Sequence, residues 1–448
     1  MRENDRRKAF TIVELVIVIA IIAILAAVLI PTFAGILKKA DSSSDLQLVH
    51  HMAKALQMAS QFETPDDVID VSGILIEEGI SKEALSQPVV EGHGFYWHSK
   101  HNVIVMILEE EGKEPVLVYP EDNEQIKTDL SADMAAGLLF NVLDGYEYTI
   151  KKVSTTEGLK AAMADKTKIV LTTNIALTES IECADNITVI LDLKGHTLSS
   201  TNIAIEVKTG AVLNIKNGST DGVRLNALEG GSLNVNKVSA RNTLWQTVEN
   251  TGGIITLEDS TVYSSSSAIY NNSGTLTLSN TKVDAELIGI TNVGTLTVND
   301  STIASHMAGD TAAVAVLNEG GSVNVIDSEL KAPSECVNNR SGTVDISGSL
   351  LVSEGVCILN EEKLTISNST VDAKGGCFHN LEGGTAEIIK GTYTCDTDAP
   401  ALENAEGATL WLKDGVLILT KSSTPIIGEI SGKETDYGVV EIKDKNES

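Results

Sequence analysis

Residues 274–298 read GTLTLSNTKVDAELIGITNVGTLTV, so that the segment Gly274–Leu278 returns almost unchanged as Gly294–Val298. In each copy two aliphatic residues alternate with threonine. A period of two places Leu276 and Leu278 on one face of a strand and Thr275 and Thr277 on the other. The pair recurs in both directions. Its first members are Leu213, Leu233, Ile255, Leu276, Leu296, Val323, Val344, Leu364, Ala386 and Leu410. Its second members are Ile215, Val235, Leu257, Leu278, Val298, Val325, Ile346, Ile366, Ile388 and Leu412. The steps run from 20 to 27 residues, with most close to 21.

A unit of that length holds two or three short strands and cannot bury its apolar face alone. Stacking buries it, so the repeats predict a parallel β-helix of about ten or more coils. Leucine-rich repeats share the period but carry several Leu and a helical segment per unit. These units carry β-branched residues, Gly and Asn instead. Two columns support the register. Asn250, Asn271, Asn292, Asn318, Asn339, Asn360, Asn380 and Asn404 stand just before the glycine turn and suit an inward hydrogen-bonded ladder. Three residues ahead of that column the chain favours small groups, in Ala204, Ala268, Gly289, Ala315, Cys336, Cys357, Cys377 and Ala401. This pattern resembles the right-handed β-helices of the pectate-lyase-like class, which occur in polysaccharide enzymes and in bacterial surface proteins. Residues 155–164, TTEGLKAAMA, form a short amphipathic pattern expected to cap the open first coil.

The amino-terminal end carries a different signal. Arg2, Arg6, Arg7 and Lys8 precede an apolar run from Phe10 to Ile30 whose one charge is Glu14. A helix of that length spans roughly 32 Å, enough to cross a bilayer. A carboxylate inside such a segment is costly and calls for a partner. The run is too long for the core of a secretory signal peptide and lacks its small-residue cleavage site. The stretch resembles the amino terminus of type IV pilins and pseudopilins. The resemblance implies cleavage by a prepilin peptidase between Ala9 and Phe10, methylation of the Phe10 amine, and pairing of Glu14 with the amine of a neighbouring subunit during assembly. Ala9 stands where the family usually has Gly. The basic leader keeps the amino terminus cytoplasmic, with the bulk of the chain outside.

These readings divide the chain into a cytoplasmic leader (1–9), a transmembrane and extended pilin helix (10–62), a small α+β pilin-like head (63–150) and the β-helix with its capping helix (151–448). In the head, strands are expected at 94–100, 102–108 and 114–119. A formal net charge of −29 argues against a nucleic-acid partner.

Candidate chemistry is sparse. Cys336, Cys357 and Cys377 share one inward column and read as buried thiols. Asp259, Asp300, Asp327 and Asp414, with Asn280 and Asn368, recur at the turn after the aliphatic pair and read as Asx turns. His93, His98 and His101 cluster in a hairpin without an evident coordinating partner. Two assemblies across coils are conceivable for catalysis, Asp259 with Asn280 and Asp300, and Glu229 with Glu249 and Arg241; neither sets two carboxylates and a base on one face. No catalytic, metal or cofactor site is expected. The 27-residue step implies an insertion near Ser305–Asp310, and Trp245 lies in a turn where an indole can stack on a sugar. The expectation is a minor pilin-like surface protein that displays a β-helix for adhesion. Its expected partners are a prepilin peptidase, other pilin subunits, the membrane and a surface glycan. The rival readings are a membrane-tethered polysaccharide-active enzyme and a pseudopilin of a secretion system.

Overall fold

In the computed structural model the aliphatic pairs stack in the register read from the repeat. Leu213 pairs with Leu233, Leu276 with Leu296 and Leu296 with Val323, all in parallel ladders. The second members keep the same register, with Ile215 opposite Val235 and Val298 opposite Val325. All these side chains are buried in one continuous core. The structure describes residues 43–61, 64–307, 313–413, 415–431 and 441–444, together with a few positions between 19 and 27. It is a mostly β protein whose parallel solenoid makes about 13 turns. The chain forms two compact units, Met1–Tyr148 and Thr149–Ser448.

The solenoid starts earlier than its clearest repeats. Val189 and Leu191 stand opposite Leu213 and Ile215, and Thr167 and Ile169 continue the same columns below them. The strand Thr149–Val153 is the first rung. These early coils lack the glycine that marks the later pairs. The helix Thr156–Ala162 is capped by the Thr155 hydroxyl, which accepts from Gly158 N–H at 3.0 Å. It sends Leu159 and Ala162 into the solenoid core, as the capping pattern predicts. The lower coils also bury Lys168, which pairs with buried Asp192 at 3.7 Å.

Three side-chain stacks hold the turns together. The first is the asparagine column. Each amide donates to the carbonyl oxygen of the next, from Asn250 to Asn271 at 2.9 Å and on to Asn380 and Asn404 at 2.7 Å. The same amides donate to backbone carbonyls at the corner, as Asn318 does to Gly321 at 3.1 Å and Ser341 at 2.7 Å. The column is buried and works as an inward ladder. Glycine comes after it because successive corners approach too closely for a side chain. A Cβ on Gly342, at φ +89°, would lie 2.1 Å from the Gly321 oxygen.

The second stack was legible only in its Asp and Asn positions. Asp259, Asn280, Asp300, Asp327 and Asn368 all take left-handed φ between +46° and +49°. The turn residues were read as Asx turns; their shared property is this conformation, which Asn and Asp tolerate best after Gly. Gly348 and Gly415 take positive φ as well, while Asp414 lies outside the described residues. In the coils from Asp259 to Asn368 the next residue is a buried Ser or Thr. Ser301, Ser328 and Ser349 each accept from the N–H of the residue one coil below, at 3.0, 3.1 and 3.1 Å. Each hydroxyl donates to the carbonyl two residues back, as Ser328 does to Ile326 at 2.6 Å. A bend that breaks the strand ladder is thereby satisfied by side chains.

The third stack is the small-residue column, and it begins at Ala268. Ala204 stands in the same register, but Arg224 and Thr247 interrupt the run of small residues between it and Ala268. All five cysteines are free and buried. Burial pushes the Cys357 and Cys377 thiols well above their ordinary range, so they act as small apolar groups.

In the first unit a helix over residues 43–59 buries Val49, Met52, Ala55 and Leu56 against Phe95, Trp97, Ile104 and Met106. The strands His93–His98, Val103–Leu108 and Val116–Tyr119 lie antiparallel, close to the expected positions, and Leu139–Asn141 adds a fourth. Among the described residues no helix is long and apolar enough to cross a membrane. Most of the expected transmembrane and extended helix, with Ala9, Phe10 and Glu14, lies outside them. The described side chains Ile19, Ile22 and Leu25 are exposed.

Candidate functional site

Asn242, Ser264, Ala285 and Ser305 end the same strand in four successive coils. The connections beyond these four strand ends differ in length. After Ser264 and Ala285 the chain turns through 265–266 and 286–287 alone before the next strand. After Asn242 it takes 243–247, and eight residues, 306–313, separate Ser305 from the next strand, where the insertion implied by the long step falls; of these 308–312 lie outside the described residues. Two longer connections therefore flank two short turns on one corner. At about 4.8 Å per coil they stand roughly 14 Å apart.

The first loop is held firmly. Asn242 Oδ1 accepts from Leu244 N–H at 2.9 Å and Trp245 N–H at 3.2 Å. The Ser264 hydroxyl donates to Trp245 O at 3.1 Å, and the Thr247 hydroxyl donates to Tyr263 O at 2.6 Å. On this fixed backbone the side chains of Leu244 and Trp245 are 62% and 54% exposed. A solvent-facing indole on a fixed backbone offers a large apolar face with a polar N–H at its edge. Beside it the Arg241 guanidinium lies 5.2 Å from the Tyr263 ring centroid.

The second loop begins at His306, whose Nε2 meets Asp284 Oδ1. Lys282 Nζ lies 2.8 Å from the other oxygen of that carboxylate. Burial by itself would raise the Asp284 acid, but the hydrogen bonds from Lys282 and His306 outweigh it and hold the group below its ordinary value. The Met307 N–H donates to Glu286 O at 2.7 Å, fastening the loop to the short turn below. The corner thus combines exposed apolar and aromatic groups with a guanidinium and carboxylates, the mixture that stacks on sugar rings and hydrogen-bonds their hydroxyls.

Other sequence candidates fall elsewhere. Asp259 and Asn280 are in contact at 2.6 Å, on exposed left-handed corners. Glu249 pairs with Arg224 at 3.3 Å, whereas Arg241 packs on Tyr263, so Glu229, Glu249 and Arg241 do not converge. In the first unit His93 and His98 do have partners that the sequence hid. His93 Nδ1 meets Asp45 Oδ2 at 2.8 Å, and His98 Nε2 meets Asp133 Oδ2 at 3.1 Å. Asp133 comes from the helix Glu124–Ala135, too distant in sequence to be associated with a hairpin by spacing.

Residues 4–30 match the prokaryotic N-terminal methylation motif. The chain therefore carries a prepilin-type amino terminus ahead of a parallel β-solenoid, and the motif implies processing by a prepilin peptidase and a membrane-anchored amino terminus. A search of curated proteins finds no match. Among solved structures the chain is similar to tailspike protein 3 of bacteriophage CBA120, at 9% identity over 83% of this chain and 79% of that one. The TM-score is 0.24, too low to support an argument about this chain.

Proposed function

We propose that this protein is a minor pilin-like surface protein whose solenoid binds a surface glycan without catalysing its breakdown. The observation that carries the reading is the methylation motif at residues 4–30 ahead of a solenoid that exposes Leu244 and Trp245 on the connection 243–247. In this account the leader 1–9 is removed, Phe10 becomes the methylated amino terminus, and Glu14 receives the amine of a neighbouring subunit. A carboxylate in hydrocarbon is then offset by an opposite charge. The helix over 43–59, packed on an antiparallel sheet, supports the reading of the first unit as a reduced pilin head. The solenoid is read as right-handed, following the strong preference of parallel crossovers. Trp245, Arg241 and the flanking loop at His306 form the proposed binding corner. The rival reading as a polysaccharide-active enzyme needs a base beside paired acids, and the candidate base Arg241 packs on Tyr263 while Glu249 pairs with Arg224.

Mass spectrometry of the amino-terminal peptide from the native host tests the pilin half of the proposal. The expected mature chain begins with N-methylated Phe10. A chain that retains Met1, or one cut after Pro31, contradicts it.

A further inference from the structure

His98, His101 and Asp133 meet at one end of the hairpin in the first unit. One nitrogen from each imidazole and one oxygen from the carboxylate lie within 4.8 Å of one another. We infer that these three side chains form a binding site for a divalent transition-metal ion of the zinc type.

A second observation points the same way. His98 Nδ1 and His101 Nε2 are buried and have no hydrogen-bond partner. A histidine retained only for packing normally satisfies both ring nitrogens. Here the His98 side chain is fully buried and its Nε2 is engaged by Asp133 at 3.1 Å. Nε2 thus faces the carboxylate that would share the ion, while Nδ1 stays without a partner. The two rings sit edge to face with centroids 4.7 Å apart. A tetrahedral ion with bonds of about 2.0–2.1 Å needs ligand atoms roughly 3.3 Å apart. Small side-chain rotations close the difference.

The ligand chemistry selects the ion. Two imidazoles and one carboxylate favour zinc, cobalt, nickel or copper over magnesium or calcium, which take oxygen ligands. Three protein ligands leave a fourth position for water. There is also a way in, since His101 lines a cleft of about 510 Å³ with Ser60, Asn102 and Tyr119.

Lys100 supplies a diagnostic. Its ammonium lies 3.3 Å from Asp133 Oδ1 and offsets the charge of that carboxylate. The side chain is about half exposed, and Asp129 stands 3.7 Å from the same ammonium. An incoming cation therefore displaces Lys100 toward Asp129 and solvent. Lysine and metal compete for one carboxylate, and removal of the lysine should tighten the metal.

The test uses the full chain in detergent, with Zn²⁺ titrated against a chromophoric chelator. The expected result is one tight equivalent per chain. His101→Gln, at a half-buried position, should retain the far-ultraviolet circular dichroism and weaken zinc at least tenfold. Lys100→Met should bind zinc several-fold more tightly. Failure of the chain to take zinc from the chelator overturns the inference. So does wild-type affinity in His101→Gln, or unchanged or weaker affinity in Lys100→Met.

Discussion

Two corners of the solenoid obey opposite rules. At one, Asn250 to Asn404 repeat the same amide contact in coil after coil, and glycine comes next because the backbones nearly touch. At the other, short turns at 265–266 and 286–287 lie between longer loops at 243–247 and 306–313. The first corner is closed by side chains that point inward and satisfy each other. The second is open, and it exposes Leu244 and Trp245 to solvent. Regularity serves the stack, because each coil must present the same surface to the next. Departures from it are tolerated where a connection projects beyond the stack, and exposed connections of that kind are where recognition is commonly built.

The strongest way to break this division is to put a charge in the repeated core. Leu278 is fully buried between Leu257 and Val298. Leu278→Asp should destabilise the solenoid by about 3–5 kcal/mol, the cost of an unpaired buried charge. Thr277→Asp, on the outward side of the same strand, should change stability by less than about 0.5 kcal/mol. Comparable urea midpoints for the two variants would contradict the register.

The ladder corner comes next. Asn318 donates to Asn339 at 2.8 Å, to Gly321 O and to Ser341 O, and accepts from Asn292. Asn318→Leu leaves those groups buried and unpaired, and should cost about 2–4 kcal/mol. Loss below about 1 kcal/mol in thermal or urea unfolding would mean that the amide column is ornamental to stability.

The smallest stability effect belongs to the open corner. Lys282 and His306 hold the Asp284 acid below its ordinary value. A depressed carboxyl contributes stability that is present above its unfolded-state value, near 3.9, and lost as pH falls through the lower folded-state value. Asp284→Asn should therefore unfold slightly below wild type at neutral pH and converge with it in strong acid. A gap that persists or widens below about pH 3 would mean that packing, not charge, joins the loop to the coil.

The same contrast explains what was legible in the sequence. The pairs from Leu213 to Leu412 were readable because alternation, a marking glycine and a period near 21 agree along the stack. The asparagine column was readable because Asn is rare at a fixed phase by chance. The serine stack was hidden, since Ser260, Ser301 and Ser328 look like ordinary turn residues until the left-handed position before each is known. The first coils were obscured by missing glycines, and the small-residue column was hidden between Ala204 and Ala268 because Arg224 and Thr247 occupy it there. In the first unit no repeat was present. The hairpin was readable from local pattern, but the meeting of His98 with Asp133 depends on tertiary packing between elements 35 residues apart. At the open corner, Trp245 and the insertion were each visible; that they share one edge emerges only from the register of Asn242, Ser264, Ala285 and Ser305.

The division of labour between the corners is tested most directly on a glycan array. The full chain in detergent should retain specific glycans, with Trp245→Ala weakening retention about tenfold, or 1.4 kcal/mol, while unfolding at the wild-type midpoint. Thr295→Ala, an exposed change beside the ladder corner, should bind as wild type does. Unchanged retention by Trp245→Ala, or equal loss in both variants, would contradict the assignment of binding to the irregular corner.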